Sequence, residues 1–364
     1  MSSITAEAIR EELRKIKGPN FDSDIVSLGL LSDIFIADGK VFFSITVPGE
    51  RAQELESLRR SAEEAVYALG GVKTVVVTLT AEKKLETPFQ AHKNESLSKQ
   101  KRKMGALPVK MPIEGVRHVI AVASGKGGVG KSTTAINIAL ALQASGFKTG
   151  LMDADIYGPS LPRLTGLVDQ KIQLSNGKKF QPLQKFGLKL MSMGFLVDET
   201  KPVVWRGPMV MAAITQFLRD VSWGPLDILV VDMPPGTGDV QLTLAQQVQL
   251  AGALIVSTPQ DLSLVDARKA IEMFVKIGVP VLGLIENMSY FTAPDTGKRY
   301  DIFGHGGARA EAESRRIPFL AEIPLDAVLR SSSDEGVPIF VADPEGEHAE
   351  IYRVIINQMK DRFF

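Results

Sequence analysis

Apolar residues recur along the chain in two rhythms. Ile4 to Ile16 carries them at helical spacing, and Asp33–Ile36 and Lys40–Val47 then alternate as strands across an Asp38-Gly39 turn. From Arg51 to Leu69 the helical period returns, with Leu55, Leu58, Ala62, Val66 and Leu69 on one face, and Gly70-Gly71 closes the run. Val72 to Thr80 alternates as a last strand. These elements predict a small α+β domain over residues 5–81. Residues 82–113 are rich in lysine, glutamate, serine and proline and poor in bulky apolar side chains, which predicts a flexible linker. Its basic cluster, Lys99, Lys101, Arg102 and Lys103, reads as a solvated tether.

From residue 114 to 364 strand-like and helix-like stretches alternate. Apolar runs fall at Val119–Ala123, Thr149–Met152, Leu188–Met191, Ile228–Val231, Leu254–Ser257 and Val281–Ile285. This pattern predicts an α/β domain with a doubly wound, mainly parallel sheet and ligands at the carboxyl ends of its strands. No internal repeat is evident. The last helical stretch, with Ile351, Val354, Ile355, Met359 and Phe363, carries few lysines, so it is expected to pack on the core rather than on a membrane surface.

Composition narrows the function classes. The 364 residues hold 42 Lys+Arg against 42 Asp+Glu, so no global field draws the chain to nucleic acid or anionic lipid. No apolar run approaches the ~18 residues of a membrane-spanning helix, and Met1 to Gly18 has the polar, helical pattern of a domain start. A cytoplasmic protein with no nucleic-acid or membrane partner is expected. Cysteine is absent, which excludes disulfides, thiol nucleophiles and thiolate ligands. His92, His118, His305 and His348 show no metal-binding spacing, and no G-x-S-x-G elbow occurs.

The chemistry concentrates at the predicted strand ends. Gly125-Lys126-Gly127-Gly128-Val129-Gly130-Lys131-Ser132 follows an apolar strand and precedes a helical run, which is the setting a phosphate-binding P-loop needs. Its glycines let backbone N–H groups turn toward phosphate oxygens at a helix N-terminus. Lys131 is expected on the β- and γ-phosphates of ATP, and the Ser132 hydroxyl on Mg²⁺. Leu229 to Asp232 is an apolar strand ending in aspartate, suited to hold Mg²⁺ directly or through water. The glycines of Met233-Pro234-Pro235-Gly236-Thr237-Gly238-Asp239 allow close backbone approach to a γ-phosphate. A second strand ends in Asp153 and Asp155. The Asn287 amide follows a third strand and can pair with an adenine edge, while Pro324 and Asp326 offer backbone contacts to the same base.

The segment K-G-G-V-G-K-S-T, through Thr133, resembles the deviant P-loop of MinD/ParA-like ATPases. That resemblance implies that Lys126 reaches the nucleotide of a second protomer, that the homodimer encloses two ATP molecules, and that Asp155 orients the attacking water, with Asp153 supporting the Mg²⁺ shell. Together with D-A-D-I-Y-G-P-S, V-W-R-G-P-M, D-M-P-P-G-T-G-D and I-E-N-M-S-Y-F, residues 100–364 resemble the Mrp/ApbC family of P-loop ATPases. Residues 5–81 resemble the MIP18-like (DUF59) domain that precedes the ATPase in bacterial members. The family implies ATP-dependent carriage or assembly of iron–sulfur clusters with assembly or recipient proteins, and a cluster bridging the dimer. Here the chain departs: Ala293 and Thr296 stand where many members have a C-x-x-C pair, and Val47-Pro48-Gly49-Glu50 lacks the small domain's cysteine. Alanine offers no ligand atom and threonine only a hard one. Two other functions are weighed against this one, a MinD/ParA-like positioning ATPase and a nucleotide-bound adaptor without turnover.

Overall fold

The computed structural model describes residues 4–19, 21–32, 34–37, 39–47, 55–81, 112–172, 174–175, 179–196 and 207–360. The chain divides into two compact units, residues 1–109 and residues 110–364, except that 205–213 groups with the first. The linker expected over 82–113 falls almost wholly outside the described residues, as do Asp33, Asp38 and residues 51–54.

In the small unit, helix α1 (Ala6–Leu13) starts at Thr5, whose hydroxyl accepts from the Ala8 amide at 3.2 Å. Strands β1 (Phe35–Ala37) and β2 (Lys40–Val47) pair antiparallel, with Ala37 opposite Lys40. Helix α2 (Glu56–Tyr67) then returns the chain to β3 (Thr74–Ala81), which lies parallel to β2. Val41, Phe43, Ile45 and Val47 alternate onto one face of β2 and share a buried core with Leu58, Ala62 and Val66 of α2 and with Ile9 and Leu13 of α1. Asp24 closes the loop after α1: its Oδ1 accepts from the amides of Val26 at 3.0 Å and Ser27 at 2.8 Å, and its Oδ2 from the Ser27 hydroxyl at 2.6 Å.

The large unit begins with β4 (Val116–Ala123), α3 (Lys131–Ala144), β5 (Thr149–Asp153) and α4 (Leu161–Leu164). Short pieces follow: β6 (Leu174–Ser175), β7 (Lys179–Phe180), β8 (Leu183–Lys185) and β9 (Leu188–Ser192). Next come α5 (Gly207–Arg219), of which residues up to 213 group with the first unit, β10 (Leu226–Asp232), α6 (Asp239–Gln247), β11 (Gly252–Ser257), α7 (Asp261–Lys276) and β12 (Val281–Asn287). The chain then runs through β13 (Phe291–Thr292), β14 (Arg299–Tyr300), α8 (Gly307–Arg315), β15 (Phe319–Ile323), α9 (Ala327–Asp334), α10 (Ile339–Ala342) and α11 (Glu347–Lys360).

Eight strands form one sheet in the order β15-β12-β11-β4-β10-β5-β9-β8. Neighbours are parallel except β8, which pairs antiparallel with β9 at the edge. Strands buried on both faces read as continuous apolar runs, which is why Leu229–Val231 and Ala253–Val256 carry no polar alternation. Helix α3 is enclosed almost all round, Thr134 to Leu142 being buried without a break. Its Asn137 is satisfied inside that core, donating to the Thr133 carbonyl at 2.8 Å and accepting from the Phe340 amide at 3.0 Å. Helix α11 buries Ala349, Tyr352, Ile355, Ile356 and Met359 in the same core, as expected of a packing helix. No helix among the described residues is long and apolar enough to cross a membrane.

The bonds from Ser27, chiefly its hydroxyl, hold the Asp24 carboxyl down to about 2. A depressed carboxylate contributes stability that is fully present above its unfolded pKa, near 4, and is lost as pH falls through about 2. Asp24→Ala is therefore expected to lower the melting temperature at pH 7, with the difference from wild type vanishing near pH 2. Thermal melts at the two pH values check this.

Candidate functional site

Register places the site. Asp232, the last residue of β10, lies opposite Val122 of β4 on one side and Asp153 of β5 on the other. The loop from Ser124 to Gly130 leaves β4 at the same level and opens α3. Two hydrogen bonds tie it to its surroundings: the Gly236 amide donates to the Ser124 carbonyl at 3.1 Å, and the Ser124 hydroxyl donates to the Lys126 carbonyl at 2.8 Å. Gly125 packs so closely on the backbone of Asp266 and Ala267 in α7 that no side chain fits there. Gly130, at φ +80°, is the residue before α3, and a Cβ on it would run into the Asn287 amide nitrogen.

Lys131 is buried, and its ammonium forms an ion pair with Asp232 while lying 3.2 Å from the Ser132 hydroxyl. Both partners are almost fully removed from solvent, so removing either leaves an uncompensated buried charge, at a cost of about 3–5 kcal/mol. Asp153 is equally buried. Its Oδ1 accepts from the Asp155 amide at 3.1 Å, and its Oδ2 from the Leu161 amide at 3.2 Å and the Ser192 hydroxyl at 3.0 Å. Desolvation, and then the neighbouring Asp232 charge, raise its pKa to about 7 against the pull of Lys131 and these hydrogen bonds. Asp155 is half-buried, and desolvation raises its pKa as well, opposed by Lys131 and by the Gly158 amide at 3.3 Å. Two carboxylates thus share one ammonium at adjacent strand ends.

At the end of β12 the Asn287 amide donates to the Val129 carbonyl at 2.8 Å, locking the loop from the side opposite Asp232. Asn287 also lines a cavity of about 1080 Å³ with Gly130, Thr133, Met288, Pro324 and Asp326. One Asn287 N–H and its oxygen remain for a ligand. Gly127 and Gly128 are exposed, and the half-buried Lys126 ammonium pairs with no other described residue. The P-loop residues and the strand-end aspartates therefore converge, and Asn287, Pro324 and Asp326 meet around the adjoining cavity. Ser192, which holds Asp153, was not anticipated, although a polar residue ending an apolar strand is the same signal that marked Asp153 and Asp232.

The β13–β14 hairpin carries Ala293 and Thr296 in its turn, closed by the Ala293 amide on the Lys298 carbonyl at 2.9 Å and the Gly297 amide on the Ala293 carbonyl at 2.8 Å. Neither residue brings a soft donor. Nearby, Glu286, His305 and Glu322 converge within 4.8 Å, a grouping that histidine spacing in the sequence does not reveal. Guanidinium groups fill it: Arg299 reaches His305 Nδ1 at 2.8 Å and Glu322 at 3.3 Å, and Arg309 reaches Glu322 at 3.2 Å. Glu286 accepts from the Ser289 hydroxyl and the Ala308 amide. Two cations already compensate Glu322, and neutral donors engage Glu286.

The comparisons agree with this architecture. Residues 115–360 match the family of NUBPL iron-transfer P-loop NTPases, and residues 6–78 match the iron–sulfur cluster assembly protein family. An iron–sulfur cluster carrier protein of Synechocystis is 44% identical over 360 residues, covering 98% of this chain and 97% of that protein. Among solved structures, a nucleotide-binding protein of Archaeoglobus fulgidus in complex with ADP is 40% identical, with a TM-score of 0.58 over 66% of this chain and 93% of that one. The septum site-determining protein MinD of Pyrococcus horikoshii, complexed with Mg-ADP, shares the fold at 22% identity and a TM-score of 0.50, over 67% of this chain and 96% of that one. The chain belongs to the iron–sulfur cluster carrier family of P-loop NTPases, of the Mrp/ApbC type.

Gly130→Ala tests the loop geometry. It forces a β-carbon into a left-handed conformation and against Asn287, which is expected to cost about 1–3 kcal/mol of stability and to abolish nucleotide binding. Thermal melts with titration of a fluorescent ADP analogue measure both.

Proposed function

We propose that this chain is a Mg²⁺-dependent ATPase that works as a homodimer in iron–sulfur cluster assembly or transfer. The observation that carries the reading is the buried Lys131–Asp232 pair at the mouth of the glycine loop, with Asp153 and Asp155 on the neighbouring strand end. Gly125 to Thr133 wraps the phosphates, and Lys131 offers its charge to the β- and γ-phosphates. The donor set suits Mg²⁺, since the Ser132 hydroxyl and the Asp232 carboxylate are hard oxygen ligands. When bound, the ion neutralises charge on the phosphates. Both oxygens of Asp153 are engaged by protein donors, so it acts by orienting the Asp155 backbone and by tuning Asp232. Asp155 is more exposed than its neighbours and is free to orient the attacking water. Asn287, with the backbone of Pro324 and Asp326, receives the adenine. Lys126, unpaired among the described residues of its own protomer, serves the nucleotide of the second one.

The cluster is cargo in this scheme. With no cysteine in the chain and no soft donor at Ala293 or Thr296, its thiolate ligands come from assembly or recipient proteins, and the ATPase acts as the switch that opens and closes the transfer complex. Among the described residues, Ala349, Tyr352, Ile355, Ile356 and Met359 of α11 are spent on the core, which does not favour a MinD-like membrane-surface role for this helix.

Lys131→Ala and Asp155→Asn are expected to lower ATP turnover by on the order of 10²-fold or more, Asp155→Asn with nucleotide binding retained. Phosphate release with both variants checks the assignment, and full turnover in both would sink it. Anaerobic reconstitution with iron and sulfide is expected to leave no stoichiometric cluster on the purified chain unless thiols are supplied. Iron and labile-sulfide assays decide that point.

A further inference from the structure

Asp326 poses a chemical problem for an adenine cavity. An ionised carboxylate only accepts hydrogen bonds. Adenine presents an acceptor, N1, beside its N6 donor, whereas guanine presents two adjacent donors, N1–H and N2–H. A carboxylate free to turn at the rim would therefore bind guanine through two charge-assisted bonds and set its lone pairs against adenine N1. The Asp326 side chain is 37% exposed and lines the same cavity as Asn287 and Gly130, so it is within reach of a base.

The fold engages both of its oxygens. Oδ1 accepts from the Val328 amide at 2.7 Å, the N-cap bond of α9, and Oδ2 lies 3.0 Å from His348 Nε2. Because the carboxylate only accepts, Nε2 carries the proton. His348 is buried on α11, and its Nδ1 has no hydrogen-bond partner among the described residues. A buried ring nitrogen left unsatisfied is a cost, so the imidazole is not there to complete a network of its own. Among the described residues, the ring's one hydrogen bond is that to Asp326. The chain on either side is fixed as well: the Leu325 amide donates to the Tyr290 carbonyl at 2.7 Å, and the Tyr290 hydroxyl donates at 3.1 Å to Glu347, the residue before His348.

We infer that His348 is a specificity-determining positioning residue of the base cavity. With the Val328 amide it fixes the plane of the Asp326 carboxylate, so that the cavity reads its base through Asn287 and backbone groups and rejects guanine. The inference rests on the cavity being the nucleotide-base site proposed above. His348 touches no reacting atom, so its effect falls on selectivity and apparent affinity while turnover at saturating ATP is kept.

The test uses the full chain as wild type, His348→Ala, His348→Gln and the double variant His348→Ala with Asp326→Asn. ATP and GTP compete against a fluorescent ADP analogue, KM and kcat are measured for both, and melting temperatures report folding. In the folded His348→Ala protein the ATP:GTP preference is expected to fall about tenfold, through KM with kcat for ATP unchanged. His348→Gln, whose amide N–H can replace Nε2–H, is expected to recover most of it. The double variant is also expected to recover it, because asparagine no longer presents two acceptors. A folded His348→Ala protein with the wild-type ratio overturns the inference, as does a loss that Asp326→Asn leaves in place. Should His348→Ala not fold, His348→Asn, whose shorter amide falls short of Asp326, is judged by the same criteria. Wild type that binds neither nucleotide, or binds both alike, instead overturns the base-site reading itself.

Discussion

One ammonium paired with a buried carboxylate, beside a second at the end of the adjacent parallel strand, organises the large unit. Lys131 can be buried because Asp232 meets it, and Asp232 is brought there by the β10 register between β4 and β5. A parallel ladder aligns all its carboxyl ends at one edge, so a polar residue ending each strand joins its neighbours without further design. The P-loop, Asp153, Asp232, Asn287 and the cavity beyond them all follow from that alignment. Desolvation raises the worth of every charge at this edge, which is why Asp153 leaves its usual range while an exposed carboxylate such as Asp24 moves the opposite way through hydrogen bonding alone.

Two locks keep the glycine loop in shape from opposite sides. Asn287 grips the Val129 carbonyl, and Gly236 grips the Ser124 carbonyl from the loop after β10. The same two elements are those expected to touch the base and the γ-phosphate. Each lock is a single hydrogen bond, so each ties the position of its own element directly to the phosphate cradle. Asn137 extends the arrangement inward, joining the first turn of α3 to the start of α10.

Much of this was legible in the sequence because it is local. The P-loop, the apolar strands ending in Asp153 and Asp232, and the alternation of α2 with its flanking strands each declare themselves within a dozen residues. Ile4–Ile16 shortens to Ala6–Leu13 in the structure because helix ends fray where apolar spacing still continues. The strands β6, β7, β13 and β14 have two residues each and β8 has three, too few to show a period, so the antiparallel edge and the hairpin went unread. Pairings across long separations left no local trace either. Ser192 reaching Asp153, Arg299 reaching Glu322, and His348 reaching Asp326 exist only because the fold brings them together.

The hairpin turn at Ala293 and Thr296 has a consequence for how such a system ages. Sulfur in cysteine is the atom that peroxide, nitrosating agents and heavy metals attack first. A carrier that keeps thiolates in this turn carries its own point of failure, and must be reduced again before it can be reused. This chain has no thiol at that position or anywhere along its length. On the function proposed above, oxidative damage to thiols would fall on the proteins that hold the cluster, and this chain would offer no thiol to attack.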